Sequence, residues 1–199
     1  MQESLLGKNI VVYDLEIKKP IEQCTHGWKS YDEMGVSVGA AFDFRDVRFR
    51  IFMDDNLHEL VERLNEPGTL VAAFNHIGFD NKLLRATPNA KDVKLKPDEE
   101  LNNYDMLLVS KEGATGSPYK FVKGFKLDDH LKVLKIPMKT GDGRMAPIWW
   151  QKGLTGRVID YCLNDVRVET KLFNYIWKHE ELACLYKSDP YKVKVPNLI

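Results

Sequence analysis

The sequence predicts an α/β fold with a layered, mixed sheet. Three β-branched or aromatic runs precede the first amphipathic helix, a short apolar run follows that helix, and a long helical pattern lies near the C-terminus. An order of strands followed by alternating helices and strands is typical of layered α/β folds. At 199 residues the chain is long enough for a sizeable core, and we expect a single domain over residues 1–199.

The first half of the chain contains four predicted strands and two predicted helices. In the third strand Val47, Phe49 and Ile51 share one face, and the first helix ends at Pro67-Gly68. The predicted strands cover residues 9–17, 33–44, 47–53 and 69–74, and the predicted helices cover 56–66 and 78–87.

The second half is more strongly interrupted by polar residues. The polar stretch 87–103 precedes the sequence YDMLLVS, and the Gly-, Ser- and Lys-rich stretch 111–124 predicts a surface loop. Beyond it the pattern predicts a helix over 125–136, a loop over 139–147 and a long helix over 156–182. The tail from residue 191 fits either a short strand or an ordered extension.

Composition limits the partners and the compartment. Lys plus Arg equals Asp plus Glu at 29 each, so any polyanion must be bound by a local patch. The three cysteines lack metal-site or paired spacing, which favours a reducing, cytoplasmic location. No run approaches the ~18 apolar residues that would indicate a membrane span, so we expect no membrane association.

The first strand ends in two carboxylates, Asp14 and Glu16. Side chains alternate across a strand, so both lie on the face that Ile10 and Val12 occupy. Carboxylates this close repel unless a cation or a shared proton intervenes, and a hard divalent cation is the natural partner. The ordinary alternative is a strand that runs out into solvent.

Two further motifs follow in order. Asn75 ends the predicted strand 69–74 and Asp80 starts the next helix, while Tyr161 and Asp165 are four residues apart on one face of the long helix. Each has an ordinary alternative: a turn residue, a helix N-terminal acid, and an exposed polar pair.

The ordered motifs Asp-x-Glu, Asn-x-x-x-Phe-Asp and Tyr-x-x-x-Asp resemble those of the DEDD superfamily of 3′→5′ exonucleases. Tyr161 in the third motif, with Asp160 rather than a histidine before it, is similar to the DEDDy branch, and the chain resembles its stand-alone phage and bacterial members. The resemblance implies a ribonuclease-H-like fold, a mixed central sheet flanked by helices. The sequence departs from the family at Ile17, often Thr, and at His76, often Gly.

The resemblance also implies roles for the residues. Asp14, Glu16, Asp80 and Asp165 would bind two divalent ions, Mg²⁺ or Mn²⁺, and Tyr161 would orient the attacking water. Three further residues, Leu15, Asn75 and Phe79, would contact the terminal nucleotides. The implied activity is release of nucleoside monophosphates from the 3′ end of single-stranded DNA or RNA. A non-catalytic nucleic-acid-binding module and a ribonuclease-H-like endonuclease stay open as alternatives.

Two further features have two interpretations each. Asp105 either supports the site from behind or caps the element that begins there. Trp149 and Trp150 either stack on a base or close the core.

Overall fold

The fold places one mixed sheet between two groups of helices. The structure is a computed structural model that describes residues 4–137 and 143–196, so residues 139–142 of the predicted loop and the last residues of the tail lie outside it. The strands are β1 (Ile10–Ile17), β2 (Val36–Asp43), β3 (Arg48–Phe52), β4 (Leu70–Ala73), β5 (Asn102–Asp105), β6 (Glu181–Leu182) and β7 (Tyr191–Lys192). The helices are α1 (Tyr31–Met34), α2 (Leu57–Asn65), α3 (Asp80–Ala86), α4 (Met106–Thr115), α5 (Leu127–Val133), α6 (Ala146–Gln151) and α7 (Thr155–His179).

The main sheet has five strands in the order β3-β2-β1-β4-β5. β1 runs antiparallel to β2 and parallel to β4, and β5 is parallel to β4. Helices flank both faces of this sheet, which confirms the predicted α/β class with a ribonuclease-H-like mixed central sheet. Within the described residues, no helix is both long and apolar enough to span a bilayer.

Alternation along β1 separates two hydrophobic clusters. Ile10 and Val12 belong to the cluster that packs against α7, whereas Val11 and Tyr13 belong to the cluster beneath α2 and α3. β1 is buried along almost its whole length because both faces are covered. The predicted face of Ile10 and Val12 is therefore confirmed, and it is the face that α7 covers.

The predicted loop over 111–124 is wrong in its first part, because α4 continues to Thr115. Asp105 caps this helix by accepting the backbone N–H groups of Leu107 and Leu108. Gly113, which suggested a loop, is needed for packing: a Cβ there would lie 2.5 Å from the Lys192 carbonyl oxygen. The helix ends at Gly116, which has a φ of 77°.

The remaining differences include α6, which begins at Ala146 inside the predicted loop over 139–147, and several element ends. The strand predicted from residue 33 begins at Val36, after the short helix α1 and Gly35, whose φ is 56°. The long helix ends at His179 rather than 182 because Glu180 adopts a left-handed conformation. Residues 181–182 then pair with 191–192, so the start of the tail is a short strand.

Candidate active site

The first part of the site is the end of β1, where Asp14 and Glu16 emerge on the α7 face. On one side β1 stays paired with β2, Asp14 opposite Ala40 and Glu16 opposite Val38. On the other side the parallel pairing with β4 stops at Val12. The flank of β1 beyond this point is therefore open to groups that follow β4.

The chain turns sharply after β4, at Asn75, whose φ is 68°. The Asp105 carboxylate fixes this turn, because it accepts the backbone N–H groups of Asn75 at 3.0 Å and Ile77 at 3.2 Å. Gly78 closes the turn against the Asn75 side chain; a Cβ on Gly78 would lie 2.5 Å from the Asn75 Oδ1 atom. Asp105 therefore both caps α4 and supports the turn, so both interpretations of this residue apply.

Asp80 begins α3 immediately beyond this turn and is buried, with 6% of its surface exposed. Burial and, next, the charge of Asp14 raise the pKa of Asp80 well above its usual range. Backbone N–H groups of Asp80 itself and of Leu15 oppose this rise. Asp80 and Asp14 line the same pocket at this edge of the sheet.

α7 contributes the third set of side chains. Tyr161 and Asp165 are both buried, at 5% exposure each. Between them, Cys162 directs its Sγ atom at Asp14, 3.4 Å from the backbone oxygen and 3.8 Å from Oδ2. Ligand atoms of Asp14, Glu16 and Cys162 all lie within 4.8 Å of one another.

Burial is the first cause, and the surrounding carboxylates the second, of a raised pKa at the Cys162 thiol. Those carboxylates are Asp14, Glu16, Asp165 and Asp80, so the charges of all four predicted metal-binding acids disfavour the thiolate. Cys162 carries no signal in the sequence, because no cysteine or histidine stands at metal-ligand spacing from it.

Glu169 is a further carboxylate that the sequence analysis missed. It lies one turn after Asp165 on α7, is 3% exposed, and accepts the Phe74 backbone N–H at 3.2 Å. Burial and the charges of Asp14, Asp80 and Asp165 raise its pKa well above the usual range. Its spacing of four from Asp165 was the available signal, since such residues share a helix face.

An open pocket of about 460 Å³ lies at this edge of the sheet. Its lining includes five of the predicted residues and four others, of which three are aromatic: Asp14, Leu15, Asn75, Phe79 and Asp80, together with Trp28, Tyr31, Phe74 and Gly78. Trp28 and Tyr31 come from the connection between β1 and β2, and nothing in their local sequence marked them. The volume is within the range of about 300–1,000 Å³ typical of small-molecule sites.

Ile17 and His76, the two departures from the family pattern, are both buried. Ile17 belongs to the cluster on the face opposite Asp14 and Glu16. His76 is fully buried, and its ring nitrogens lie 3.3 Å from the Ala73 carbonyl and 3.1 Å from the Asn103 side-chain oxygen. Both side chains therefore serve the packing behind the site.

Trp149 and Trp150 are partly buried and pack against the α7-side core cluster. The ring of Trp149 meets that of Tyr161 edge-on, with centroids 6.1 Å apart. These contacts support the core interpretation of the tryptophan pair and place Trp149 behind the Tyr161 ring.

The donor chemistry of the site fits a divalent cation. Asp14, Glu16, Asp80 and Asp165 offer carboxylate oxygens, the ligands that hard cations such as Mg²⁺ and Mn²⁺ prefer. Burial and, next, the charge of the neighbouring carboxylate Asp14 raise the pKa of Asp80, so holding Asp80 ionised among such carboxylates costs free energy. A cation bound among them would offset it.

The fold and the acidic edge together define an α/β protein with a ribonuclease-H-like sheet and a carboxylate-lined pocket. No protein family model and no curated protein matches the sequence. Among solved structures, the family B DNA polymerase of the archaeon Pyrobaculum calidifontis is similar, with a TM-score of 0.60, 17% identity and 84% of this chain covered. This chain spans about a quarter of that polymerase, 24% of its length.

Two other similar structures have lower scores. Phi29 DNA polymerase complexed with primer-template DNA has a TM-score of 0.49 and 14% identity, over 86% of this chain and 31% of the polymerase. The zinc-bound complex of E. coli ExoI with single-stranded DNA has a TM-score of 0.47 and 12% identity, over 86% of this chain and 41% of ExoI. The likeness to the archaeal polymerase is the one that supports the fold.

Proposed function

We propose that this protein is a metal-dependent 3′→5′ exonuclease of the DEDDy type. The observation that carries the proposal is the acidic cluster at this edge of the sheet: ligand atoms of Asp14, Glu16 and Cys162 lie within 4.8 Å of one another, and Asp80 lines the same pocket as Asp14. Packing alone does not favour several buried carboxylates from distant parts of the chain in one place, because their charges repel one another. A nuclease, however, requires such a cluster, because the carboxylates bind the cations that act on the phosphodiester.

The carboxylates of Asp14, Glu16, Asp80 and Asp165 would hold two divalent ions, Mg²⁺ or Mn²⁺. When bound, such ions lower the pKa of water and stabilise charge on the departing oxygen. Tyr161 would orient the attacking water from α7. Its ring is buried and packs edge-on against Trp149, which restricts its movement before substrate arrives.

The pocket favours the end of a single strand. With about 460 Å³ it has room for one nucleotide rather than for a paired duplex. Leu15 and Phe79 line it with apolar surface for the sugar and base, and Asn75 supplies an amide for hydrogen bonding. A pocket of this size beside the acids supports removal of nucleotides one at a time, as nucleoside monophosphates.

A 5′-labelled single-stranded oligonucleotide, incubated with Mg²⁺, Mn²⁺ or EDTA, tests the proposal. We expect a ladder of products shortened from the 3′ end with either cation and none in EDTA. Asp14→Ala should slow shortening by about 10²-fold or more, the scale of losing one electrostatic contact to the transition state. Asp160→Ala is the matched control, because this exposed aspartate lies on α7 beside Tyr161.

Matched DNA and RNA substrates with each end blocked in turn separate the alternatives. Cleavage of a circular substrate would indicate an endonuclease, and binding without hydrolysis under any divalent ion would indicate a non-catalytic module. Equal activity of Asp14→Ala and the unmodified protein would rule out the proposed site.

A further inference from the structure

Trp28 is the most exposed large aromatic side chain at the pocket, with 65% of its surface accessible. A tryptophan carries about 150–250 Å² of surface that is favourable to bury, so this degree of exposure leaves a large apolar ring in water. Its ring meets Phe79 edge-on, with centroids 5.7 Å apart. Trp28 therefore extends the apolar surface of the predicted substrate residue Phe79 outward.

Tyr31 completes a cluster of three rings, here called the aromatic platform: Trp28, Tyr31 and Phe79. The Tyr31 and Phe79 centroids are 5.8 Å apart, and the Tyr31 hydroxyl donates to the Gly78 carbonyl at 3.4 Å. The platform thus adjoins the turn that carries Asn75. All three rings line the same pocket as Asp14 and Asp80.

The segment that carries Trp28 is held in place by polar contacts and by the core. Glu33 accepts the Lys19 ammonium at 2.6 Å and the Thr25 backbone N–H at 3.0 Å. The Ser30 hydroxyl, which is buried, accepts the His26 backbone N–H at 2.9 Å. These contacts span both sides of Trp28, so its exposure is not that of an unsupported loop.

The geometry points to a specific role: we infer that Trp28 stacks on the 3′-terminal base of the strand whose terminal phosphodiester lies at the carboxylates. This inference rests on the proposed function and adds a specificity-determining residue to it. A flat, exposed indole beside carboxylates that would hold divalent cations matches a ligand that pairs an apolar ring with a phosphate, and a nucleotide is such a ligand. Stacking is tolerant of sequence because every base has a π-face.

The test is a double-mutant cycle of binding affinities, measured in Ca²⁺, in which one change removes the Trp28 ring and the other removes the 3′-terminal base. Fluorescence anisotropy measures the Kd of a short 5′-labelled DNA strand with either an ordinary or an abasic 3′-terminal nucleotide, and a gel confirms that the strand stays intact. Trp28→Ala should weaken binding of the ordinary strand by about 5- to 150-fold, the value of one base-aromatic stack. The same variant should weaken binding of the abasic strand by less than about twofold.

Two variants guard against a general structural effect. Trp28→Phe keeps a flat ring and should retain most of the affinity for the ordinary strand. Phe121→Ala removes an aromatic ring that is 98% exposed and distant in sequence from the platform, and it should not distinguish the two strands. Equal losses for the ordinary and abasic strands in Trp28→Ala, or coupling to an inner base instead, would overturn the inference.

The binding cycle is independent of hydrolysis. If Trp28→Ala weakens only the binding of the ordinary strand but the protein shortens no strand, the nuclease proposal is refuted and the role of Trp28 in base binding is retained. If the protein shortens strands and Asp14→Ala abolishes this activity, but Trp28→Ala affects both strands equally, only the role of Trp28 is refuted.

Discussion

Replacing Asp105 tests the support behind the candidate site. This carboxylate is 3% exposed, and its two oxygens divide the work. Oδ1 accepts the backbone N–H groups of Asn75 at 3.0 Å, Leu107 at 3.0 Å and Leu108 at 3.2 Å. Oδ2 accepts the N–H of Ile77 at 3.2 Å. One side chain thus joins the turn after β4 to the start of α4.

The two oxygens predict a graded effect on the free energy of unfolding. Asp105→Asn can keep its amide oxygen at the Oδ1 position, but its NH₂ then faces the Ile77 N–H, so one acceptor is lost. A hydrogen bond to a charged group contributes about 1.5–3 kcal/mol, so we expect a loss of about 2 kcal/mol. Asp105→Ala leaves four donors without this acceptor and removes a helix cap, so we expect a loss of about 4 kcal/mol or more.

Urea unfolding monitored by circular dichroism measures both losses. Asp189→Ala, which removes an exposed carboxylate, should stay within about 0.5 kcal/mol of the unmodified protein. At a temperature where the Asn variant is folded, strand shortening should also slow, because the turn that presents Asn75 has lost one of its two supports on Asp105. Equal destabilisation by Asn and Ala, or none by Asn, would refute the assignment of separate roles to the two oxygens.

Two further predictions concern packing and pH. Gly113→Ala should destabilise the protein by about 1–3 kcal/mol, because its Cβ would meet the Lys192 carbonyl oxygen at 2.5 Å. Gly156→Ala, in a helix with nothing within 4 Å of the new Cβ, should stabilise it by about 0.4–1 kcal/mol; thermal unfolding that moves both in one direction would contradict this. Glu169→Gln should gain stability over the unmodified protein as pH rises from 5 to 8 in EDTA. Burial and nearby carboxylates raise the folded-state pKa of Glu169 above its ordinary 4.5, so its ionisation at higher pH costs folding free energy that Gln avoids. Parallel pH profiles of denaturant unfolding for the two proteins would contradict it.

The features that follow local periodicity were predictable from the sequence. The alternation of β1 assigned Ile10 and Val12 to one face, and the two core clusters confirm that assignment. The i,i+4 spacing of Tyr161 and Asp165 likewise placed both on one buried side of α7. Such patterns succeed because a strand and a helix each fix the direction of successive side chains.

The features that depend on a distant partner were not predictable. α4 was taken for a loop after residue 110 because Gly113 is a poor helix former, and its compensation comes from β7 at the other end of the chain. Trp28 is marked by its place at the pocket, which depends on the packing of the β1–β2 connection against Phe79. The secondary-structure propensities of neighbouring residues cannot predict either of these long-range contacts.

The buried carboxylates at this edge of the sheet divide according to what they contact. Glu169 and Asp105 accept backbone N–H groups on both sides of the turn residue Asn75, Glu169 from Phe74 and Asp105 from Ile77. Asp14, by contrast, lies beside the Cys162 thiol and lines the pocket. Holding the turn from both sides fixes the neighbouring residues relative to Asp14 before any ligand arrives, and such preorganisation is what a catalytic constellation requires. The three sequence motifs contain the proposed metal-binding acids, whereas Asp105 and Glu169, which hold the turn, lie outside those motifs.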